Sequence, residues 1–133
     1  MPSLIKKEKV LYPNLSFKIC GICFSVHNQL GRFRSEKSYA DAIEQLLKEN
    51  NIRYKREFIL APSFAGESGR RNVVDFLIED KIILEIKASP LVSRKEYYQI
   101  QRYLQASELE LGILVNFRSK YLHPKRILNT RLH

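Results

Sequence analysis

The chain has 133 residues, 44% of them hydrophobic, which is enough for one domain around a single core. Its 23 Lys and Arg residues outnumber its 14 Asp and Glu residues, and the formal charge of +9 indicates a polyanionic partner, either nucleic acid or an anionic membrane face; plain solubility is the simpler alternative. The charge-free run that begins at Ile19 is too short and too polar to span a bilayer, so we predict no membrane segment and a cytoplasmic location.

The first predicted helix runs from about Pro13 to Leu30 and contains CGIC, Cys20 to Cys23. A CxxC pair can be a redox site or half of a zinc site. The chain has no second cysteine pair, so a four-ligand zinc site would need a partner chain. A redox site requires a strand directly before the motif, whereas the apolar residues here follow helical spacing. We therefore predict that both cysteines are small packing residues.

The second predicted helix runs from about Ser35 to Asn50, with Ser35 as its N-cap. Its apolar stripe includes Tyr39 and Ile43 and should face a sheet. Glu36 lies one turn before Tyr39 on the same stripe, where a charge is unexpected. It is either a functional carboxylate or a first-turn acid that the helix dipole favours.

The rest of the chain alternates between strands and one further helix. A strand is predicted near 54–61, followed by the polar loop PSFAGESGRRN, and strands at about 73–78 and 82–88 flank a short EDK turn. A helix over about 93–107 opens with the capping box SRKE, and the apolar LGILVNF at 111–117 reads as a central strand. The order α-α-β-β-β-α-β predicts an α/β fold with a single mixed sheet flanked by helices, in one domain that ends in a basic tail.

Two charges interrupt the most strand-like segment, IILEIKAS, where Glu85 and Lys87 share one face. The preceding strand carries one charge, Asp75. A two-residue turn would pair Asp75 with Ile86, whereas a three-residue turn would place it directly opposite Glu85, with Cβ atoms roughly 5 Å apart. Carboxylates that close repel each other unless a cation lies between them, and hard oxygen ligands suit Mg²⁺ or Mn²⁺. We predict the three-residue register.

A further polar pair lies on the third predicted helix, where Gln99 and Tyr103 are one turn apart on one face. With Glu36, Asp75 and Glu85, they are expected to bring polar groups from four elements to one side of the sheet. Each residue has a structural alternative, because E-x-K can be an exposed edge, an acid can support a turn and helix residues can be solvated. The combination indicates a site more strongly than any one member does.

Asp75 followed by Glu85-Ile86-Lys87 resembles the D…(D/E)xK signature of the PD-(D/E)XK nuclease superfamily, whose αβββαβ core matches the chain from the second helix onward. The chain is more closely similar to the small GxxExxY family within it, on the blocks VHNQLG, EKSY, VVDFLIEDKIILEIKA, QIQRYLQAS and LGILVNF. The likeness covers about residues 15–128 and implies a restriction-endonuclease-like fold with an extra N-terminal helix.

Two positions depart from the family pattern. Phe33 stands where the family has a glycine, with Gly31 two residues earlier, and Val74 replaces the nominal proline of the superfamily signature. The first departure affects the turn that enters the second helix. Neither departure removes a predicted ligand.

The resemblance implies catalytic roles for six side chains: Glu36, Asp75, Glu85, Lys87, Gln99 and Tyr103. Asp75, Glu85 and the backbone carbonyl of Ile86 would bind Mg²⁺ or Mn²⁺, and Glu36 corresponds to a helix glutamate that completes the metal site in many relatives. Lys87 corresponds to the lysine that orients or activates the attacking water.

Gln99 and Tyr103 correspond to a Q-x-x-x-Y motif of exonuclease-like branches, which supports the site and the nucleic-acid strand. Beyond the resemblance, we expect cations of the polar loop and the basic tail to follow a phosphate backbone. The predicted nucleic-acid-binding residues are Arg70, Arg71, Arg118, Lys120, Lys125 and Arg126.

The sequence therefore predicts a divalent-metal-dependent nuclease that hydrolyses phosphodiester bonds, with DNA as the favoured substrate. One alternative is a nucleic-acid-binding or protein-interaction module on the same fold, with little turnover of its own. Another is a homodimeric junction-resolving endonuclease, because two sites are needed to cut two strands. The choice between endonuclease and exonuclease stays open.

Overall fold

The structure is a computed structural model that describes residues 11–132 of the chain. The predicted single domain over 1–133 is therefore described only over that span, and its first ten residues and its last residue lie outside it. The elements follow the order α1 (Pro13–Leu30), α2 (Glu36–Glu49), β1 (Tyr54–Ile59), β2 (Val73–Ile78), β3 (Ile82–Lys87), α3 (Arg94–Ser107), β4 (Leu111–Asn116) and β5 (Lys125–Leu128).

The strands form one mixed sheet in the order β1-β2-β3-β4-β5, as predicted for the fold class. All neighbouring strands are antiparallel except β3 and β4, which are parallel. A parallel pair needs a crossover connection, and α3 provides it. The central strands β3 and β4 are almost completely buried, which explains their continuous apolar sequences.

The two faces of the sheet carry different helices. Alternate β3 residues such as Leu84 and Ile86 pack in the cluster that contains the buried residues of α1 and α2. Ile83 points to the opposite face, where it packs in a second cluster with α3 residues. Gly112 permits the close approach of α3, because a Cβ built there would lie 2.7 Å from the Ile100 side chain.

The helix termini follow the sequence signals. Pro13 occupies the first turn of α1, and the backbone N–H of Gly31, at a φ of 78°, closes its last turn. The Ser35 side chain accepts a hydrogen bond from the Ser38 backbone at the start of α2. The predicted capping box at the start of α3 is present in full, through Ser93 and Glu96.

Both cysteines of the CGIC segment lie on α1 and are free thiols. Cys23 is fully buried in the helix-facing core, and burial raises the pKa of its thiol. A raised pKa keeps the thiol protonated and poorly reactive, which agrees with the predicted packing role.

The structure shows one further strand within the predicted basic tail. Lys125–Leu128 forms the edge strand β5, antiparallel to β4. Its sequence KRIL buries only Ile127, and charges on a short edge strand are a usual protection against aggregation. The absence of an apolar alternation concealed this strand from sequence reasoning.

Candidate active site

The β2–β3 hairpin has the predicted three-residue register. Ile78 pairs with Ile82, and Phe76 pairs with Leu84, so the next position along the ladder sets Asp75 opposite Glu85. The residues 79–81 form the connection between the strands. The prediction on which the metal site depended is therefore confirmed by the strand pairing.

Asp75 and Glu85 are joined across the hairpin by two short hydrogen bonds. The Asp75 backbone N–H donates to Glu85 Oε2 at 2.6 Å, and the Ile86 backbone N–H donates to Asp75 Oδ2 at 2.7 Å. Each carboxylate thus replaces a main-chain acceptor of the ladder, which fixes both side chains within the sheet. Each acid also has a second oxygen that these two bonds leave free.

Burial disfavours the ionised forms of these two acids. Burial raises the pKa of Glu85 well above its ordinary value, and the negative charge of Asp75 raises it further. Burial also raises the pKa of Asp75, although the Ile86 N–H and the Lys87 ammonium oppose this effect. A cation bound between the two acids would favour the ionised forms of both.

Lys87 and Glu36 also contribute to this end of the sheet. The positive charge of Lys87 lowers the pKa of both Asp75 and Glu85, which places its ammonium group near the pair. Glu36 accepts a hydrogen bond from the Ala88 backbone through Oε2 at 3.2 Å, and its charge contributes to the raised pKa of Asp75. The unexpected charge on the α2 stripe therefore reaches the end of β3.

The expectation that all polar groups share one side of the sheet is wrong. α2 belongs to the Leu84 face and α3 to the Ile83 face, so Glu36 and Tyr103 approach from opposite layers. Glu36 reaches the acid pair around the end of β3, because it occupies the first residue of its helix. The site is a junction between two layers, whereas the sequence pattern predicted a cleft on one face.

Tyr103 lies close to the acid pair. It is 3% exposed, and burial together with the charge of Glu85 raises the pKa of its hydroxyl to about 12. The hydroxyl therefore stays protonated at neutral pH and can act as a hydrogen-bond donor. Gln99 is half-buried one turn earlier on α3, and its predicted role stays a prediction.

Sequence reasoning missed Glu57. This residue lies in β1, where it has a φ of 50°, although it is not a glycine. The ladder pairs Arg56 with Phe76 and Phe58 with Val74 but omits the intervening pair of Glu57 and Asp75. A left-handed residue within a strand leaves no signal in composition or alternation.

A small cavity of about 280 Å³ brings this residue together with the predicted site. Its lining comprises Glu36, Lys37, Ala40, Arg56, Glu57, Asp75 and Ile86. Glu85 and Lys87 do not line the cavity, but Glu85 accepts a hydrogen bond from the Asp75 backbone, and the charge of Lys87 lowers the pKa of Asp75. The cavity is therefore the candidate active site.

The donor groups of this site fit a hard divalent cation. Residues 11–132 contain no group of three Asp, Glu, His or Cys side chains arranged to hold a metal ion. Mg²⁺ does not need such a cage, since it usually keeps several waters and binds through one or two carboxylates together with substrate phosphates. The carboxylates of Asp75 and Glu85, opposed across the hairpin with Glu85 buried and Asp75 half-buried, match that requirement.

The predicted nucleic-acid-binding cations occupy several environments. Arg71 lies 3.4 Å from Glu67 and is half-exposed, and Arg70 is exposed in the same loop. Lys120 lies over the Tyr121 ring, and Lys125 lines a concave surface beside α3. Their predicted contacts with nucleic acid stay predictions.

Arg118 and Arg126 are engaged within the fold. Arg126 donates to the Ser16 hydroxyl and to the Leu11 carbonyl, so it ties β5 to the start of α1. Arg118 donates to the Ala88 carbonyl at 3.4 Å, directly beyond Lys87. Of these two cations, Arg118 is the one that lies beside the candidate active site.

Comparison with known proteins gives one positive finding. The protein-family model of the PD-(D/E)XK nuclease superfamily matches residues 13–127. Neither a curated protein nor a solved structure matches the chain. Within residues 11–132, no helix is long and apolar enough to cross a membrane.

Proposed function

The chain belongs to the PD-(D/E)XK nuclease superfamily, and from this premise we propose that it is a divalent-metal-dependent nuclease that cleaves phosphodiester bonds in DNA. Members of the superfamily are generally metal-dependent nucleases. The finer assignment to the GxxExxY family and a cytoplasmic location form part of the same proposal. The observation that carries the proposal is the acid pair of Asp75 and Glu85, opposed across one hairpin, with Glu85 buried and Asp75 half-buried.

Each residue of the site has a chemical role in this proposal. Asp75 and Glu85, with the Ile86 carbonyl, would hold Mg²⁺ or Mn²⁺, and Glu36 would complete the set. A bound divalent ion supplies a Lewis acid that polarises a phosphoryl oxygen and lowers the pKa of a water. Lys87 holds positive charge beside the acids, where negative charge develops on the phosphate during attack.

Tyr103 and Gln99 would act from the other layer of the sheet. The Tyr103 hydroxyl stays protonated because of its raised pKa, so it can donate to a carboxylate or to a phosphate oxygen. Gln99, one turn earlier, would contact the nucleic-acid strand. Their positions on one rigid helix favour a fixed distance between the metal ligands and the bound strand.

A substrate panel tests the proposed function. Linear and circular duplexes, single strands, flaps and four-way junctions are incubated with the purified chain in Mg²⁺, Mn²⁺ or EDTA. We expect cleavage with either metal and none in EDTA. Glu85→Gln and Asp75→Asn should each reduce the rate at least about a hundredfold, the loss typical of removing one preorganised electrostatic group.

Glu79→Gln is the matched control, because it neutralises an acid at the other end of the same hairpin. It should cleave at the wild-type rate, and circular dichroism should show native secondary structure for all three variants. Cleavage by Glu85→Gln and Asp75→Asn at the wild-type rate would reject the assignment. Metal binding by calorimetry without cleavage of any substrate would favour the binding-module alternative.

A further inference from the structure

We propose that Arg32, Phe33 and Arg118 form a subsite for an unpaired nucleotide of the substrate, next to the candidate active site. We call these three residues the Phe33 cluster. The inference rests on the proposed function and specifies its substrate class: nucleic acid with single-stranded character at the bound position. Phe33 is the residue that departs from the glycine of the resembled family.

The cluster places two cations around an exposed aromatic ring. Phe33 is 75% exposed, and the Arg32 and Arg118 guanidinium carbons lie 4.9 and 5.6 Å from the centre of its ring. A single exposed phenylalanine is ordinary on a protein surface. Phe17 is 80% exposed, and no cation of residues 11–132 lies over its ring. The two arginines thus distinguish Phe33 from an incidental surface ring.

The Arg118 guanidinium has unused hydrogen-bonding capacity. Its Nη2 donates to the Ala88 carbonyl at 3.4 Å, and its Nε is buried without an acceptor among the described residues. Arg32 supports the arrangement from the other side, since its Nε donates to the Arg118 carbonyl at 2.7 Å. Guanidinium groups bind phosphates strongly through paired N–H donors. Because Nε is buried, the N–H groups of the two outer guanidinium nitrogens are the donors that Arg118 can offer to a phosphate oxygen.

One residue of the β3 end connects the cluster to the candidate active site. The Ala88 N–H donates to Glu36, and the Ala88 carbonyl accepts from Arg118. Ser89 follows, and both of its backbone polar groups bond to the Asn116 side chain, at 3.2 and 3.0 Å. Ser89, held by these two hydrogen bonds, lines a concave surface of about 250 Å³ together with Phe33 and Arg118. In this proposal, a strand whose phosphate lies at the acids places a nearby nucleotide beside Phe33.

The chemistry of the cluster favours an unpaired nucleotide over a duplex. Bases stack on aromatic rings and on guanidinium planes, while cations bind the phosphates, as in proteins that bind single strands. A base within a duplex has both faces covered by its neighbours, so it offers no face to Phe33 until it leaves the stack. Phosphate contacts alone would bind duplexes and single strands without this distinction.

Binding in EDTA tests the inference separately from cleavage. Fluorescence anisotropy is measured with a labelled single strand, and with a duplex of the same length, at one fixed salt concentration. Phe33→Ala and Phe33→Leu should weaken single-strand binding about five- to hundredfold, the range expected for loss of one base–aromatic stack. Both variants should bind the duplex within about twofold of wild type.

Two variants complete the design. Phe33→Trp retains a stacking surface and should restore single-strand affinity, and Phe17→Ala should leave it unchanged. Equal affinities of wild type and Phe33→Ala for the single strand, or equal losses on both substrates, would overturn the subsite. A dimer in sedimentation velocity that Phe33→Ala dissociates would overturn it too, because the ring would then be a protein contact. Failure of the proposed function would appear in the substrate panel, as a lack of metal-dependent cleavage.

Discussion

The pKa values of acidic residues shift in opposite directions at the two ends of the β2–β3 hairpin. At the turn end, Glu79 lies 3.0 Å from Arg53, and the Arg53 N–H and guanidinium lower the pKa of its carboxyl. At the other end, half-buried Asp75 faces buried Glu85, and the pKa of each is raised. At the turn end, the nearby cation stabilises the ionised form of the acid. Ionising two acids that face each other, one of them buried, is unfavourable, and a bound cation would remove that free-energy cost. The acid pair therefore indicates a cation-binding site.

Cavity size does not separate these two ends. The larger concave surface, about 680 Å³, lies at the turn end, where Glu79 and Asp80 line it. Both acids there already have partners, since Asp80 lies 3.6 Å from Lys55. The smaller cavity at the other end is lined by Asp75, whose pKa is raised because burial outweighs the opposing charge of Lys87. The chemistry of the lining, rather than its volume, identifies the candidate site.

The largest expected difference between the two ends concerns their lysines. Lys87→Gln should reduce metal-dependent cleavage about a hundredfold, because the ammonium beside the acids is lost from the place where negative charge develops. Lys55→Gln removes the matching charge at the turn end and should cleave at the wild-type rate. Single-turnover rates with a labelled strand measure both. Equal rates for the two variants would remove the functional distinction between the ends.

Metal binding should stabilise only one end of the hairpin. At Mg²⁺ or Mn²⁺ concentrations ten times Kd, the wild type should gain about 1.4 kcal/mol in the free energy of unfolding. That gain corresponds to a rise of several degrees in Tm for a domain of this size. The rise should persist in Glu79→Gln and disappear in Glu85→Gln, as measured by thermal melting with and without EDTA. A rise of equal size in all three proteins would place the metal elsewhere.

The pH dependence of stability should have opposite signs at the two ends. Glu85 has a raised pKa in the native state, so its contribution to stability is greatest at low pH and is lost as pH rises from the ordinary carboxyl range towards the raised value. Glu79 has a lowered pKa, so its contribution is present above the ordinary range and is lost as pH falls. In EDTA, Glu85→Gln should therefore gain stability relative to wild type as pH rises, and Glu79→Gln should lose it.

Urea unfolding at several pH values between about 3 and 8 measures these differences. The Gln variants serve as controls for each other, because each lacks one titrating group of the hairpin. Parallel pH profiles for the two variants would contradict the opposite pKa shifts.

Sequence reasoning succeeded where strand alternation left few choices. The hairpin had two possible registers, and the pairing of Asp75 with Glu85 favoured the three-residue connection that the structure shows. The same reasoning failed for the layers, since the stripe of α2 shows that Glu36 faces the sheet but not which face. β5 was missed because KRIL has no alternation, and it exists through pairing with the buried β4. Long-range pairing of this kind has no signal in a short segment.

Substitution of Glu57 should have the smallest effect, a change in the free energy of unfolding. Its left-handed backbone lies beside Asp75 in mid-strand, whereas Glu79 and Asp80, at φ of 52° and 55°, occupy a turn that commonly accepts such angles. The left-handed conformation costs a residue with a Cβ roughly 1–2 kcal/mol, while glycine loses about 0.5–1 kcal/mol of chain entropy on folding. Glu57→Gly should therefore raise the free energy of unfolding by at most about 1.5 kcal/mol.

Glu57→Ala keeps a Cβ and is the control for this change. Its free energy of unfolding, measured in urea, should equal that of the wild type, because the left-handed backbone stays strained for any residue with a Cβ. A gain shared by both variants would mean that the carboxylate of Glu57, close to Asp75 and Glu36, is the source of instability. A gain confined to Glu57→Gly would mean that the backbone stores the strain, and strain held beside a site is a feature of functional regions. The two variants thus decide whether the carboxylate charge or the backbone conformation of Glu57 destabilises this end of the sheet.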